Sequence, residues 1–186
     1  MIAGPNGSGK TTTASTISPD QFNIYEFINA DEIARGLAPL HPETVSLQAS
    51  KLMITRLRHL LAEKKSFIFE TTASGTNYIK YLKEARETGY EIHLTYLWLS
   101  SDDLAVKRVA HRVAEGGHHI PEDVIRRRYK LGVKNIIKHY LPLFHTALIL
   151  DNSSDIQKKI SGKNKLNDLV IEDTKTWEEI LRLAHD

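Results

Sequence analysis

The sequence predicts an α/β protein, a parallel sheet flanked by helices and built around a phosphate-binding loop. Three observations predict it. Gly4-Pro5-Asn6-Gly7-Ser8-Gly9-Lys10-Thr11 fills every fixed position of the pattern G-x-x-x-x-G-K-[ST]. Short β-rich runs alternate with longer stretches of helical periodicity, the order that builds a parallel sheet covered by helices. Polar residues Asp31, Glu70 and Asp151 close three of those runs. Open parallel sheets bind their ligands beyond such strand ends.

The elements follow in order. Only Met1-Ile2-Ala3 precede Gly4, so either the first strand is very short or the chain has lost residues at its start. Both readings weaken the anchor of the loop. Thr11 to Ile17 forms the first helix, and Ile24-Tyr25-Glu26-Phe27-Ile28 is strand two, delivering Asn29-Ala30-Asp31-Glu32. Pro39 and Pro42 break the chain. Glu43 to Glu63 is a long helix, with Ala49, Leu52, Met53, Leu57, Leu60 and Leu61 at helical spacing. Ser66 to Phe69 is a buried strand ending at Glu70-Thr71-Thr72, and Tyr78 to Glu87 a helix stopped by Gly89. Glu91 to Leu99 is a strand. Asp102 to Glu115 is a helix capped by Ser100 or Ser101. Gly116-Gly117-His118-His119-Ile120 is a loop, and Pro121 opens a helix to about Tyr140. Ala147 to Leu150 is a strand, Asn152 to Lys165 a polar surface loop, Leu169 to Ile171 an edge strand, and Trp177 to Ala184 a closing helix.

With 186 residues, the chain reads as one domain, 1–186, with a lid or insert at about 102–140. There is no cysteine, which excludes a disulfide framework, a thiolate metal site and a Cys nucleophile. The net charge of +2 argues against a general nucleic-acid coat. No run approaches the ~18 apolar residues of a membrane span, and residues 1–10 are Gly-rich rather than apolar, unlike a signal peptide. The expectation is a soluble, cytoplasmic protein.

The loop's chemistry explains its residue types. Glycines let successive backbone N–H groups turn inward on an anion, and the following helix adds its positive end. Gly4, Asn6, Gly7, Ser8, Gly9, Lys10, Thr11 and Thr12 are the nucleotide-binding candidates. Lys10 reaches the β- and γ-phosphates of ATP, and the Thr11 hydroxyl ligates Mg²⁺. The spelling GPNGSGKTT is also that of transporter ATPases, but their LSGGQ signature is absent. A GTPase's Asn-Lys-x-Asp is absent too, since Asn164-Lys165-Leu166-Asn167 lacks the Asp. A small kinase fits better, because such enzymes close a basic lid over the phosphates. Segment 102–140 holds nine Lys or Arg and five acids. Arg108, Arg112 and Arg127 are the candidates for contacting the transferring phosphoryl group.

The strings AGPNGSGKTT, NADEIA, FETTASG, RVAHRVAEGGHHIPEDVIRRRY and LDNSS, in that order over residues 3–154, resemble the zeta-toxin-like kinases. The narrower resemblance is to their branch often labelled "predicted ABC-type ATPase". It covers about four-fifths of the chain and implies an adenylate-kinase-like architecture with a helical lid. It also implies phosphorylation of a sugar hydroxyl of UDP-N-acetylglucosamine by ATP and Mg²⁺, and an antitoxin protein as partner. Asp31 matches the acid that acts as base toward the substrate hydroxyl, and Glu70 the acid that binds substrate. Read from the residues alone, Asp31 is either a proton acceptor or a helix N-cap. Glu70 with Thr71 binds a sugar, holds a Mg²⁺-bound water, or makes a strand-end hydrogen bond. His118 stands where the toxins carry a lid arginine, and either contacts substrate phosphate or caps the helix at Pro121.

Two other functions compete with this one. A nucleotide-dependent ATPase or binding module would act on a protein partner. A polynucleotide kinase would use the basic lid, but the aromatics fall in apolar periodic positions and leave no stacking platform, so nucleic acid is not the expected partner.

Overall fold

A computed structural model describes residues 1–16, 24–117 and 119–185. Its centre is a seven-stranded sheet in the order β2-β3-β1-β4-β5-β6-β7. Strand β1 is Ile2–Ala3, and it lies between β3 (Phe67–Thr71) and β4 (His93–Trp98), parallel to both. Strand β2 (Glu26–Ile28) extends the sheet on one side, and β5 (Thr146–Asp151) on the other, also in parallel. Strands β6 (Lys158–Lys163) and β7 (Leu169–Ile171) close that side as an antiparallel addition. The sheet is therefore mostly parallel, with an antiparallel edge of a kind common in large α/β sheets.

Helix α1 (Lys10–Thr16) follows the loop directly. The expected continuation to Ile17 lies outside the described residues. Helix α2 (Ala30–Leu37) follows β2, and its N-cap is Asn29 rather than Asp31, the alternative cap that the sequence offered. Its start signal is plain in retrospect: Asn29 caps it by accepting from the Asp31 N–H at 2.8 Å, with Asp31 and Glu32 in the first turn. Helix α3 (Ser46–Ala62) begins after a 3₁₀ turn over Pro42–Val45, and buries Ala49, Met53, Leu57, Leu60 and Leu61. Helices α4 (Ile79–Glu87), α5 (Asp102–Ala114) and α6 (Glu122–Asn135) lie close to expectation. Ser101 is the α5 cap, accepting from Leu104 N–H at 3.1 Å. A wider π-turn over Ile136–Tyr140 continues α6, and α7 (Thr174–His185) closes the chain.

The polar loop expected over residues 152–165 is corrected by β6. Its sequence, Lys-Lys-Ile-Ser-Gly-Lys, carries a single large apolar side chain, so no alternation is visible. Pairing with β5 and the burial of Ile160 override that weak local preference.

Helices α5 and α6 are built into the core rather than standing off it. Ala105 and Val109 of α5 and Ile125, Tyr129 and Val133 of α6 are buried. Arg126 ties their starts together through Asp102, Asp103 and Glu122. After α5 the chain turns at Gly116, with φ +86°, and Ile120 ahead of α6 is buried in the same core. No described helix is long and apolar enough to cross a membrane.

Candidate active site

The loop between β1 and α1 is held from outside by its carbonyls. Asn152, just after β5, donates to Ser8 O at 2.7 Å. Arg108 on α5 donates to Asn152 O at 2.7 Å and Ser153 O at 3.2 Å, and reaches Gly7 O at 3.5 Å. These contacts hold the Gly7 and Ser8 carbonyls from outside, while Ser8 N–H closes the turn on Pro5 O at 3.2 Å. Gly9 completes the turn at φ +82°, where a Cβ would come 2.9 Å from Asn152 Nδ2. The Asn6 Oδ1 and Ser8 Oγ atoms are buried without a hydrogen-bond partner. A glycine-rich turn with two buried polar side chains that lack partners fits a polyphosphate, and Lys10 stands at its base.

Lys10 is 7% exposed, donates to Pro5 O at 2.8 Å, and lies 3.8 Å from Glu70 Oε1. Burial pushes the Lys10 ammonium down, and the Glu70 charge works against that. Burial pushes the Glu70 carboxyl up, opposed by Lys10 and by the Thr11 hydroxyl. Each charge favours the ionised form of the other and offsets part of the cost of burial.

Glu70 is the hub. Its Oε2 accepts from Thr11 Oγ1 at 2.8 Å and from Asn29 Nδ2 at 2.9 Å. Three strand ends therefore meet there: the loop after β1, the α2 cap after β2, and the last buried position of β3. The cleft beside them, about 170 Å³, is lined by Asn6, Lys10, Asp31, Glu70, Thr71 and Arg128 among others. Asp31 presents an exposed carboxylate to it from the first turn of α2. Thr71 lines the wall, and its Oγ1 accepts from Ala73 N–H at 3.0 Å. A Mg²⁺ ion in a phosphate site is held by one or two protein groups and by the phosphates themselves, and Thr11 with Glu70 is such a pair.

The arginines separate. Arg112 and Arg128 both lie near enough for their charge to press on Lys10. Arg108 faces the carbonyls behind the loop. Arg127 is exposed and does not line the cleft. The next residue, Arg128, lines it and is the side chain the sequence reading missed. Helical geometry could have found it: Ile125, Tyr129, Gly132 and Ile136 share the buried side of α6, with Arg128 beside them and Arg127 opposite. Asn152 was missed as well. His118 lies outside the described residues, and Thr12 is exposed on α1.

The position of α6 is fixed by three contacts. Tyr129 Oη donates to Leu99 O at 2.7 Å, and Asn135 Nδ2 to Ala73 O at 2.9 Å. Gly132 passes so close to the β3 loop that a Cβ would lie 2.7 Å from Thr72 O. One turn before that contact, Arg128 is carried over the cleft.

A family described as an AAA domain matches residues 1–130. An uncharacterized protein of Haemophilus influenzae is 32% identical over 129 residues, covering 69% of this chain and 90% of that protein. Among solved structures, the AvrRxo1-ORF1:AvrRxo1-ORF2 complex with sulphate ions superposes with a TM-score of 0.77 at 17% identity, covering 96% of this chain and 62% of that one. The present chain thus spans less than two thirds of that neighbour. The PezAT chromosomal toxin-antitoxin system of Streptococcus pneumoniae gives a TM-score of 0.63 at 14% identity, over 99% and 83% of the two chains. A gluconokinase from Sinorhizobium meliloti 1021 gives 0.51 at 16% identity, over 82% and 81%. The mostly parallel sheet, the phosphate loop and these superpositions agree: the chain belongs to the AAA domain family, and its fold is a P-loop kinase fold shared with these structures.

Proposed function

We propose that the protein is an ATP- and Mg²⁺-dependent phosphotransferase that phosphorylates a hydroxyl of a sugar nucleotide such as UDP-N-acetylglucosamine. The observation that carries the reading is the meeting of Lys10, Thr11 and Glu70 in one cleft with the exposed carboxylate of Asp31 and the guanidinium of Arg128. A phosphate cradle faces a separate carboxylate across a short gap, which is the layout needed to move a phosphoryl group onto a hydroxyl.

The roles follow from position. Loop amides, Asn6, Ser8 and Lys10 bind and orient the phosphates of ATP. Thr11 and Glu70 would hold Mg²⁺, which neutralises phosphate charge when bound. Asp31 accepts the proton of the acceptor hydroxyl at its carboxylate. Arg128, together with Arg112, stabilises charge on the transferring group. Arg108 supports the loop from behind. Glu70 and Thr71 also form the acceptor wall, and His118 contributes from the α5–α6 connection. The PezAT neighbour is a toxin-antitoxin system, which supports a protein antitoxin as partner. An active kinase in the cytoplasm is what such a partner would hold silent.

The test is ATP consumption with Mg²⁺, with and without UDP-N-acetylglucosamine, followed by mass spectrometry of the sugar nucleotide. The expected result is acceptor-dependent turnover and a gain of one phosphate on the sugar. ATP turnover that ignores every hydroxyl acceptor and responds to a protein partner would replace this reading with a nucleotide-dependent binding module.

A further inference from the structure

Among the described residues, three non-glycines have a positive φ: Lys64, Ala73 and Asn167. Lys64 is exposed at the end of α3, and Asn167 is exposed in the turn between β6 and β7, both common places for that conformation. Ala73 is different. It follows β3 at φ +54° with its methyl fully buried in the core. A Cβ makes this left-handed conformation costly, and such strain persists only where the surroundings over-determine it.

The surroundings do so here. Thr71 Oγ1 accepts from Ala73 N–H at 3.0 Å. Asn135 Nδ2 donates to Ala73 O at 2.9 Å, and Tyr140 Oη donates to Gly75 O at 2.6 Å. Asn135 and Tyr140 are both buried. The π-turn over Ile136–Tyr140 explains how one helix supplies both donors. Residues five apart on an α-helix point about 140° away from each other. The wider turn, closed by Leu141 N–H on Ile136 O, brings residues five apart close to one line and so sets Asn135 and Tyr140 over the same loop.

We propose that Asn135 is a positioning residue of the acceptor site: with Tyr140 it clamps the β3 loop in the left-handed turn at Ala73, and so sets where Thr71 and Thr72 stand in the cleft.

The inference deepens the kinase reading and rests on it. Thr71 and Thr72 both line the cleft that holds Asp31 and Glu70. The Oγ1 of Thr72 lies 2.9 Å from the Oγ of Ser74, so the hydroxyls on either side of Ala73 are tied to each other. If the clamp is released, Ala73 returns to a negative φ and the peptides flanking it turn. Thr71 then loses the amide that fixes its hydroxyl, and Thr72 its place in the wall. Arg128 lies on α6 about two turns before Asn135. One helix therefore sets both the charge over the transferring group and the wall against which the acceptor rests. If instead these contacts serve only to mount α6, their loss displaces Arg128 and lowers turnover rather than acceptor binding.

The test uses Asn135→Ala, Tyr140→Phe, which keeps the ring in the core, and Asn135→Ala combined with Ala73→Gly, because glycine takes a positive φ without a clamp. Nuclear magnetic resonance reads Ala73 with no substrate present, since a positive φ brings its own Hα and N–H close and gives a strong NOE between them. Asn135→Ala is expected to lose that signal, and its retention overturns the clamp. Transfer kinetics with UDP-N-acetylglucosamine read the acceptor site. The acceptor KM is expected to rise about tenfold in Asn135→Ala and about two- to threefold in Tyr140→Phe, with the KM for ATP within about twofold in both. Adding Ala73→Gly is expected to recover most of the loss. A fall in turnover at unchanged acceptor KM, or no recovery with glycine, makes Asn135 a mount for α6 alone and overturns the proposal. A parent protein that phosphorylates no hydroxyl acceptor overturns the kinase reading and the acceptor role with it, while the Ala73 signal still decides the clamp.

Discussion

The Thr11 hydroxyl donates to the Glu70 carboxylate at 2.8 Å, across 59 positions of sequence. This bond joins the first residue past the loop lysine to the end of β3, and so fixes where a divalent ion would sit. Replacing Glu70 by Gln keeps an acceptor for Thr11 and Asn29 but removes the charge. The expected outcome is a loss of about 100-fold or more in turnover, with a weaker Mg²⁺ requirement curve. A Mg²⁺ titration at fixed ATP checks it.

Asp31 separates binding from chemistry. Its carboxylate is exposed and lies in the first turn of α2, on a different element from the phosphate loop. Asp31→Ala is expected to lower transfer by about 10²–10⁴-fold while ATP affinity stays within twofold. Lys10→Ala is expected to lower both. Isothermal titration beside a transfer assay tells the two apart, and transfer retained in the Asp31 variant removes that residue from the base role.

The adjacent arginines of α6 give a sharper comparison. Arg128→Ala is expected to cost about 10²–10³ in turnover, as loss of a group that stabilises transferring charge does. Arg127→Ala is expected to stay within about twofold. Equal effects would move the phosphate contact off the cleft-lining face of α6.

Gly132→Ala tests the mounting of that helix. Alanine is the better helix former by about 1 kcal/mol, but its Cβ would meet the backbone of Thr72 at 2.7 Å. Overpacking of this kind costs about 1–3 kcal/mol, so the steric effect is expected to prevail. A fall of a few degrees in the midpoint, with turnover reduced more than ATP affinity, is the outcome to look for.

Much of this architecture is legible in the residues. The loop pattern, the brevity of β1 and the polar strand ends at Asp31 and Glu70 are read directly, because each rests on local chemistry. The burial of Ala49, Met53, Leu57, Leu60 and Leu61 follows from their spacing, while Leu52 of the same set is exposed. Strand β6 is not legible, since its only strand-like feature is Ile160 and its partner β5 supplies the rest. Helix α2 is hidden for a different reason: it is a single short helix with Gly36 inside it and Pro39 soon after it. The choice between Arg127 and Arg128 needed the orientation of α6, which the buried spacing of Ile125, Tyr129 and Ile136 already contained. The support that Asn152 gives the loop spans 144 positions of sequence, and no local pattern announces such a contact.

The hold of Asn152 and Arg108 on the loop has a practical side. A truncation that stops before β5 would remove Asn152 and leave the Ser8 carbonyl without that donor. A shortened chain that keeps the whole glycine-rich segment would therefore still have lost a support of its phosphate loop.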